Sequence, residues 1–369
     1  MRTLSYFEIV DLKRIASSFD ICAGEITHVL PVNVGKTNAT YKIVVSHETD
    51  TTSYMLQKIN EAVFKNVGII VNNARLVTEH LRAKGFDTLE FVMNKQNHTP
   101  LYKDATGTYR MTKFIHAEVF QTITRPEDMK MLGIAIGKFL IGLSDFDANL
   151  LEDTIPNFHN TSVRYQDLIL SALECSLSDQ RQKVIDTQND LMFVNKNRYC
   201  TGIIVEALLK GDIPYRVTHN DTKLSNVLFD RKTNLPRCMI DLDTVMKGSV
   251  LFDLADAIRS GANTRSGQEK EYDKAQIDLE LLKNFLIGFS EGAPGLLTEK
   301  EKYLLPTAIK IIPLELGMRY LTDYYKGNRY FNYSYEEQNL YRARLQFALV
   351  KDVDTKMDSI IQIVEEIFG

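Results

Sequence analysis

Apolar residues along the chain change their period near residue 115. From Leu4 to Phe19 they recur at helical spacing (Phe7, Val10, Leu12, Ile15, Phe19) and predict an amphipathic helix. Three β-branched and aromatic runs follow, Ile26 to Val34, Thr40 to Val45 and Thr52 to Ile59. They are joined by Gly35-Lys36-Thr37-Asn38 and by the polar tip Ser46 to Thr51, and they predict strands. Val67 to Lys84 returns to the helical period, and Gly85 suits the left-handed position past a helix end. Leu89 to Met93 and Thr108 to Ile115 predict two more strands around a turn containing Pro100 and Gly107. Residues 1–115 are therefore expected to form a small α+β lobe.

Beyond Pro126 the helical period dominates. Met129 to Phe146 is opened by a Thr124-x-x-Glu127 capping box with Pro126 inside it, and Thr298 to Lys326 by Thr298-x-x-Glu301. Pro306 and Pro313 are expected to kink or break the second of these helices. Further helices are expected at Ile203 to Gly211, Leu251 to Arg259, Ile277 to Glu291 and Glu336 to Phe368. Residues 157–200 are polar, rich in Asp, Gln and Asn, and read as a helical insertion without assignable chemistry. Residues 116–369 would then form a larger, mainly helical lobe, with a cleft expected at the junction near Phe114 to Glu118.

A length of 369 residues is long for one core and comfortable for two. With 44% apolar and 25% charged residues, and no run near the ~18 apolar residues of a membrane span, the expectation is a soluble protein without a membrane partner. The N-terminus carries acids inside its apolar stretch and lacks a signal-peptide pattern, so the cytoplasm is the expected location. A net charge of −4, a pI near 6.0 and the lack of a basic block point away from nucleic acid. Cys22, Cys175, Cys200 and Cys238 are far apart and form no C-x-x-C pair, so reduced thiols are expected rather than disulfides or zinc. A monomer is the default expectation.

The chemistry concentrates in Val217 to Thr244, which reads V-T-H-N-D-T-K-L-S-N-V-L-F-D, a polar turn, then R-C-M-I-D-L-D-T. Val227-Leu228-Phe229 and Cys238-Met239-Ile240 are strand-like, and Asp230 to Arg237, with Asn234 and Pro236, turns between them. Such a hairpin would bring Asn226, before its first strand, to Asp241, at the end of its second. Together they offer an amide oxygen and a carboxylate to one hard cation such as Mg²⁺. Asp221, off the metal, would accept the proton of an attacking hydroxyl. The plain alternatives are an Asp capping a turn, an Asn closing a loop and an Asp ending a strand. Asp243 would project to the same side of an extended chain as Asp241, and either supports the metal or hydrogen-bonds the loop. His219 is expected to brace the loop.

The compound pattern H-x-D-x-x-x-x-N, followed fifteen residues after its Asn by D-x-D, resembles the eukaryotic-like kinase superfamily, and more closely its aminoglycoside phosphotransferase and choline kinase branch. Within that branch T-H-N-D-T-K-L-S-N, I-D-L-D-T-V-M, F-D-L-A-D-A-I-R and G-M-R-Y-L-T-D-Y are similar to the N-acetylhexosamine 1-kinases, which phosphorylate the anomeric hydroxyl of N-acetylglucosamine or N-acetylgalactosamine. The resemblance runs from P-V-N-V-G-K-T-N-A-T-Y to R-Y-F-N-Y. It implies a bilobal protein-kinase-like fold with a nucleotide-binding N-terminal lobe, ATP and Mg²⁺ as cofactors and a small sugar as acceptor. It also implies Asp221 as catalytic base touching the sugar, Asn226 and Asp241 as metal ligands, and Lys223 as a phosphate contact.

The same resemblance places Lys36, Thr37 and Asn38 where kinases fold a loop over the phosphates, with Lys36 also within reach of the sugar. Gln57 stands where many kinases carry the lysine that grips the phosphates, while Lys58 should face the other side of the strand. Only Glu79 of the following helix offers an acidic partner, a departure that argues against protein substrates. Arg319 and Tyr330 are implied as acceptor contacts, although Arg319 and Asp323 at i and i+4 would also suit a helical pair. Asp253 and Asp256 read as structural acids near a helix start, with bracing of the catalytic loop as the family-style role. The alternatives are a kinase for another sugar, an amino alcohol or an aminoglycoside, and an inactive kinase-fold binding module. A polycationic aminoglycoside would call for an acidic cleft.

Overall fold

Alternation along the early strands decides which face of the N-terminal sheet is buried. Tyr41, Ile43 and Val45 of one strand and Tyr54 and Leu56 of the next are buried together, whereas Lys42, Val44, Met55 and Gln57 are less so. The computed structural model describes residues 4–32, 37–64 and 66–369 and divides into two units. The N-terminal unit runs to Glu118 and also takes in Leu242–Val245; the C-terminal unit holds Val119–Asp241 and Met246–Gly369.

The N-terminal unit contains α1 (Tyr6–Ser17), β1 (Glu25–Val32), β2 (Ala39–Ser46), β3 (Thr51–Lys58), α2 (Val67–Ala83), β4 (Leu101–Asp104) and β5 (Gly107–Lys113). Its sheet has the order β1-β2-β3-β5-β4 and is antiparallel throughout. A capping box of Ser5 and Glu8 opens α1, which lays Leu12, Ile15 and Ala16 into a core shared with Phe19, Ile43, Leu56 and Met111. Gly85, at φ +81°, follows α2 in the left-handed conformation the sequence anticipates.

The expected strand at Leu89–Met93 does not form. That run makes a single bridge, Phe91 to Thr112, and β5 instead pairs with Leu101–Asp104. The turn decides it: Asp104 accepts the Thr106 N–H at 2.8 Å and its hydroxyl at 2.5 Å, closing a tight hairpin that an apolar run cannot supply. Lys36, with Asn33, Val34 and Gly35, lies outside the described residues.

The C-terminal unit contains α3 (Pro126–Gly142), α4 (Thr161–Ser176), α5 (Arg181–Asp186), α6 (Gln188–Asn197), α7 (Ile203–Lys210), β6 (Arg216–Thr218), β7 (Val227–Phe229), β8 (Pro236–Met239), β9 (Met246–Gly248), α8 (Val250–Gly261), α9 (Leu279–Gly292), α10 (Glu299–Tyr325) and α11 (Gln338–Phe368). Two antiparallel ribbons, β6 with β9 and β7 with β8, sit among these helices. At the start of α3 the capping acid is Asp128, not Glu127. With Pro126 in the first turn, Asp128 is the residue that accepts the N–H groups of Thr124 and Arg125. Helix α10 continues unbroken through Pro306 and Pro313, where a kink or a break was expected. Both prolines are buried, and packing along α10 carries the helix past the two missing hydrogen bonds.

All four cysteines are free, as their spacing suggests. No helix among the described residues is long and apolar enough to cross a membrane.

Helices α3 and α9 approach closely through glycines. A Cβ on Gly288 would collide with the carbonyl of Lys130, and one on Gly133 with that of Phe285. Gly288→Ala is therefore expected to cost about 1–3 kcal/mol and to lower the melting midpoint. Gly68→Ala, in the open first turn of α2 where the nearest atom is 3.4 Å away, is expected to be neutral or stabilising by up to about 1 kcal/mol. Thermal unfolding of the two variants checks the contrast.

Candidate active site

The loop after β6 is built on one buried carboxylate. Asp253, in the first turn of α8, accepts the N–H of His219 at 2.8 Å and that of Asn220 at 2.7 Å, one on each oxygen. Its backbone carbonyl accepts the Thr222 hydroxyl at 2.6 Å. Asn220 takes φ +63°, a conformation that asparagine tolerates. Asp256 accepts the Thr222 N–H at 3.2 Å and two guanidinium bonds from Arg259, at 2.9 and 2.7 Å. Both acids thus brace the loop directly. Burial pushes Asp253 up to about 7 despite its two N–H donors. Burial acts the same way on Asp256, but the Arg259 charge and hydrogen bonds outweigh it and hold Asp256 below the usual carboxylate value.

His219 uses both ring nitrogens inside the fold. Nε2 donates to the Ile240 carbonyl at 2.9 Å, and Nδ1 accepts the Asp221 N–H at 3.3 Å. Burial lowers its pKa, so it is a neutral brace.

The hairpin brings the predicted residues together. Val227 pairs with Met239, and the Ile240 N–H donates to the Asn226 carbonyl at 2.8 Å, which sets Asn226 beside the residue preceding Asp241. Asp230 organises the turn by accepting the N–H groups of Lys232 and Thr233. The Asn226 amide nitrogen donates to the Asp221 carbonyl at 2.8 Å and to Asp221 Oδ2 at 3.0 Å, so its amide oxygen points away from Asp221. Lys223 Nζ donates to the same Oδ2 at 2.6 Å. Burial would lower the Lys223 pKa, yet Asp221, with a smaller contribution from Asp241, raises it. Asp221 stays about one-third exposed (33%), open enough to meet a hydroxyl. One amide oxygen and one carboxylate fit a hard cation that completes its shell with water and phosphate oxygens.

A second constellation lies in the N-terminal unit. Leu242–Thr244 forms a helical turn and Asp241 has φ +61°, so the extended chain that would put Asp243 on the same side as Asp241 is absent. The Asp243 carboxylate, 2% exposed, instead pairs with Arg110 through Oδ1 and accepts the Asn38 amide at 2.6 Å on Oδ2. Asn38 also accepts the Asn60 N–H at 2.9 Å. Gln57 accepts Arg110 Nε at 2.9 Å and donates to Thr40 at 3.3 Å. Glu79 pairs with Arg75 inside α2, at 2.6 Å. Thr37 lies exposed in a bend. Sequence reasoning missed Arg110; the only signal was its place opposite Gln57 in the β3–β5 ladder.

Arg319 and Tyr330 line one cavity of about 730 Å³ in the C-terminal unit. The Arg319 guanidinium lies 4.7 Å from the Phe158 ring centre, 5.6 Å from that of Phe331 and 5.9 Å from that of Tyr330. Asp323 does not pair with it. That carboxylate accepts the N–H groups of Arg329, Tyr330 and Phe331 at 2.8–3.0 Å, together with the Asn339 amide, and so fixes the loop that carries Tyr330. Residues 157–200 supply Phe158 and Arg164 to this region, a role their composition did not disclose. The Tyr320 ring lies tilted against that of Phe331, 4.4 Å between centres.

The sequence profile of the APH phosphotransferase enzyme family matches residues 28–284, more than half of the chain. The chain belongs to this family. Solved structures agree in fold. An aminoglycoside phosphotransferase from Alicyclobacillus acidocaldarius aligns over 99% of this chain and 98% of its own, with a TM-score of 0.64 at 14% identity. A spectinomycin phosphotransferase, solved with ADP and spectinomycin, aligns over 94% and 98%, with a TM-score of 0.59 at 14% identity. A Plasmodium vivax ethanolamine kinase aligns over 89% and 82%, with a TM-score of 0.56 at 14% identity. The α+β, kinase-like fold anticipated from the sequence is thus the fold of this APH-family chain, and its activity is that of a small-molecule phosphotransferase.

A carboxyl group whose pKa is raised in the folded state supports that state fully below its unfolded value, and this contribution is lost as pH climbs through the folded value. For Asp253 the window runs from its ordinary 3.8 to about 7. The stability advantage of the wild type over Asp253→Asn is therefore expected to shrink from pH 4 to pH 7, by at most about 1.4 kcal/mol per pH unit. Denaturant unfolding of both proteins across that range measures it.

Proposed function

We propose that this phosphotransferase transfers the γ-phosphoryl group of ATP to the anomeric hydroxyl of N-acetylglucosamine or N-acetylgalactosamine, giving an N-acetylhexosamine 1-phosphate. The observation that carries the acceptor class is the aromatic setting of Arg319 in the cavity it shares with Tyr330. The cavity lining includes Arg164, Arg319, Lys326 and Arg329 against Asp167, Glu174 and Asp179, and its fourth acid, Asp323, is spent on backbone N–H groups. Such a lining suits a neutral polyol with a carbonyl-bearing substituent better than a polycation or a quaternary amine. Rings of Tyr and Phe serve as the apolar platform in a chain without tryptophan.

In this reading Asp221 orients the anomeric hydroxyl and takes its proton. Lys223 and Asn226 hold Oδ2 and leave Oδ1 for the acceptor. Asn226 and Asp241 hold Mg²⁺, which when bound neutralises phosphate charge. Lys36 and Thr37 serve the nucleotide side, with Lys36 also a sugar contact, and Asn38 and Gln57 support that side through Asp243 and Arg110. An anomeric hydroxyl is more acidic than an ordinary alcohol, so a carboxylate base suffices, and positioning and charge neutralisation supply the remainder of the acceleration.

Incubation with Mg-ATP and a panel of N-acetylglucosamine, N-acetylgalactosamine, glucose, galactose, choline and kanamycin, followed by ADP release, tests the acceptor. Turnover is expected with the N-acetylated sugars and not with their 1-O-methyl glycosides; turnover confined to choline or kanamycin contradicts the reading. Asp221→Asn is expected to keep its melting midpoint and ATP affinity and to lose about 10²–10⁴ in kcat. A variant retaining more than about a tenth of wild-type kcat removes Asp221 from the role of base.

A further inference from the structure

We propose that Arg110 is a positioning residue for the metal ligand Asp241, acting from β5 through Asp243. The proposal rests on the reading of Asp241 as a metal ligand. Arg110 and Gln57 face each other directly in the β3–β5 ladder, and the glutamine oxygen fixes the guanidinium by accepting Nε at 2.9 Å. The charge so aimed meets Asp243, and both side chains are almost wholly buried, at 5% and 2% exposure. A buried carboxylate is tolerated only when it is paired and hydrogen-bonded, and Asp243 satisfies this with Arg110 on one oxygen and Asn38 on the other.

The far end of the segment is fixed as well. Asn73, fully buried on α2, donates to the Val245 carbonyl at 2.9 Å. Leu242–Val245 is therefore pinned at both ends by side chains of its own unit, and the residue entering it is Asp241, held at φ +61°. A non-glycine residue stays in that region only where its surroundings over-determine it. Arg110 contributes to that constraint by holding Asp243, two residues on, so the direction of the Asp241 carboxylate depends on the Arg110 cation. Directly opposed positions on neighbouring strands have Cβ atoms about 5 Å apart, so a lysine at position 57 would place its ammonium near the same carboxylate.

Mn²⁺ binding in the presence of ADP, read by electron paramagnetic resonance without acceptor and hence without turnover, tests this. Arg110→Met is expected to weaken Mn²⁺ binding about tenfold or more. Arg110→Met with Gln57→Lys is expected to return it to within about threefold of wild type. Arg110→Met with Asp243→Asn removes both charges, leaves neither buried alone, and is expected to fold and to show the same loss as Arg110→Met. Ile43→Ala, in the core of the same sheet, is expected to lower the melting midpoint and leave Mn²⁺ affinity unchanged. Unchanged Mn²⁺ affinity in both charge-removing variants, or no recovery with Gln57→Lys, overturns the proposal. Asp241→Asn separates the two readings: loss of Mn²⁺ there without loss on removing Arg110 overturns the positioning role alone, whereas Mn²⁺ binding as in wild type overturns the metal-site reading and the proposal with it.

Discussion

One buried carboxylate organises the chemistry of the C-terminal unit. Asp253 takes the N–H groups of two successive residues, His219 and Asn220, and so fixes the turn from which Asp221 emerges. A side chain that accepts two adjacent backbone donors costs desolvation, which shows in its raised pKa, and returns a loop geometry that the loop's own sequence does not impose. His219, neutral and fully engaged, ties that loop to the end of the second hairpin strand. Asp221 thus stays about one-third exposed, while Asp253 and His219, which place it, are fully buried.

The hairpin of β7 and β8 adds the second constraint. Its ladder continues past the strand ends through the Ile240 to Asn226 bond, which sets Asn226 beside the residue preceding Asp241. The Asn226 amide nitrogen donates to both the carbonyl and the carboxylate of Asp221, which turns its oxygen away from that residue. This arrangement fits phosphoryl transfer, in which charge neutralisation and alignment carry most of the catalysis.

The hairpin that carries Asn226 and Asp241 at its ends was legible in the sequence because short-range chemistry forms it: the Asp230 turn and two apolar runs set a register that spacing reveals. Arg110 was not. Its meaning lies in a cross-strand neighbour and in an aspartate far along the chain, and neither pairing leaves a periodic trace. The same distinction explains Asp323, whose i+4 position suggested a pair with Arg319. A loop returning over the end of α10 offered three backbone donors, and these took the carboxylate instead. The run Leu89–Met93 has strand-like composition, but turn closure at Asp104 gave β5 a different partner. The helices of 157–200 read only as an insertion, since a cavity wall that includes Arg164 and Asp167 appears only once α10 is folded against α4.

The central claim is that the phosphoryl group is delivered to an anomeric oxygen. Proton–phosphorus correlation spectroscopy of the product formed from N-acetylglucosamine or N-acetylgalactosamine reads this directly. The account predicts a phosphorus nucleus coupled to the anomeric proton of the sugar. Coupling to the protons of carbon 6 or of another ring position, or no phosphorylated sugar at all under conditions that consume ATP with a different acceptor, would contradict it.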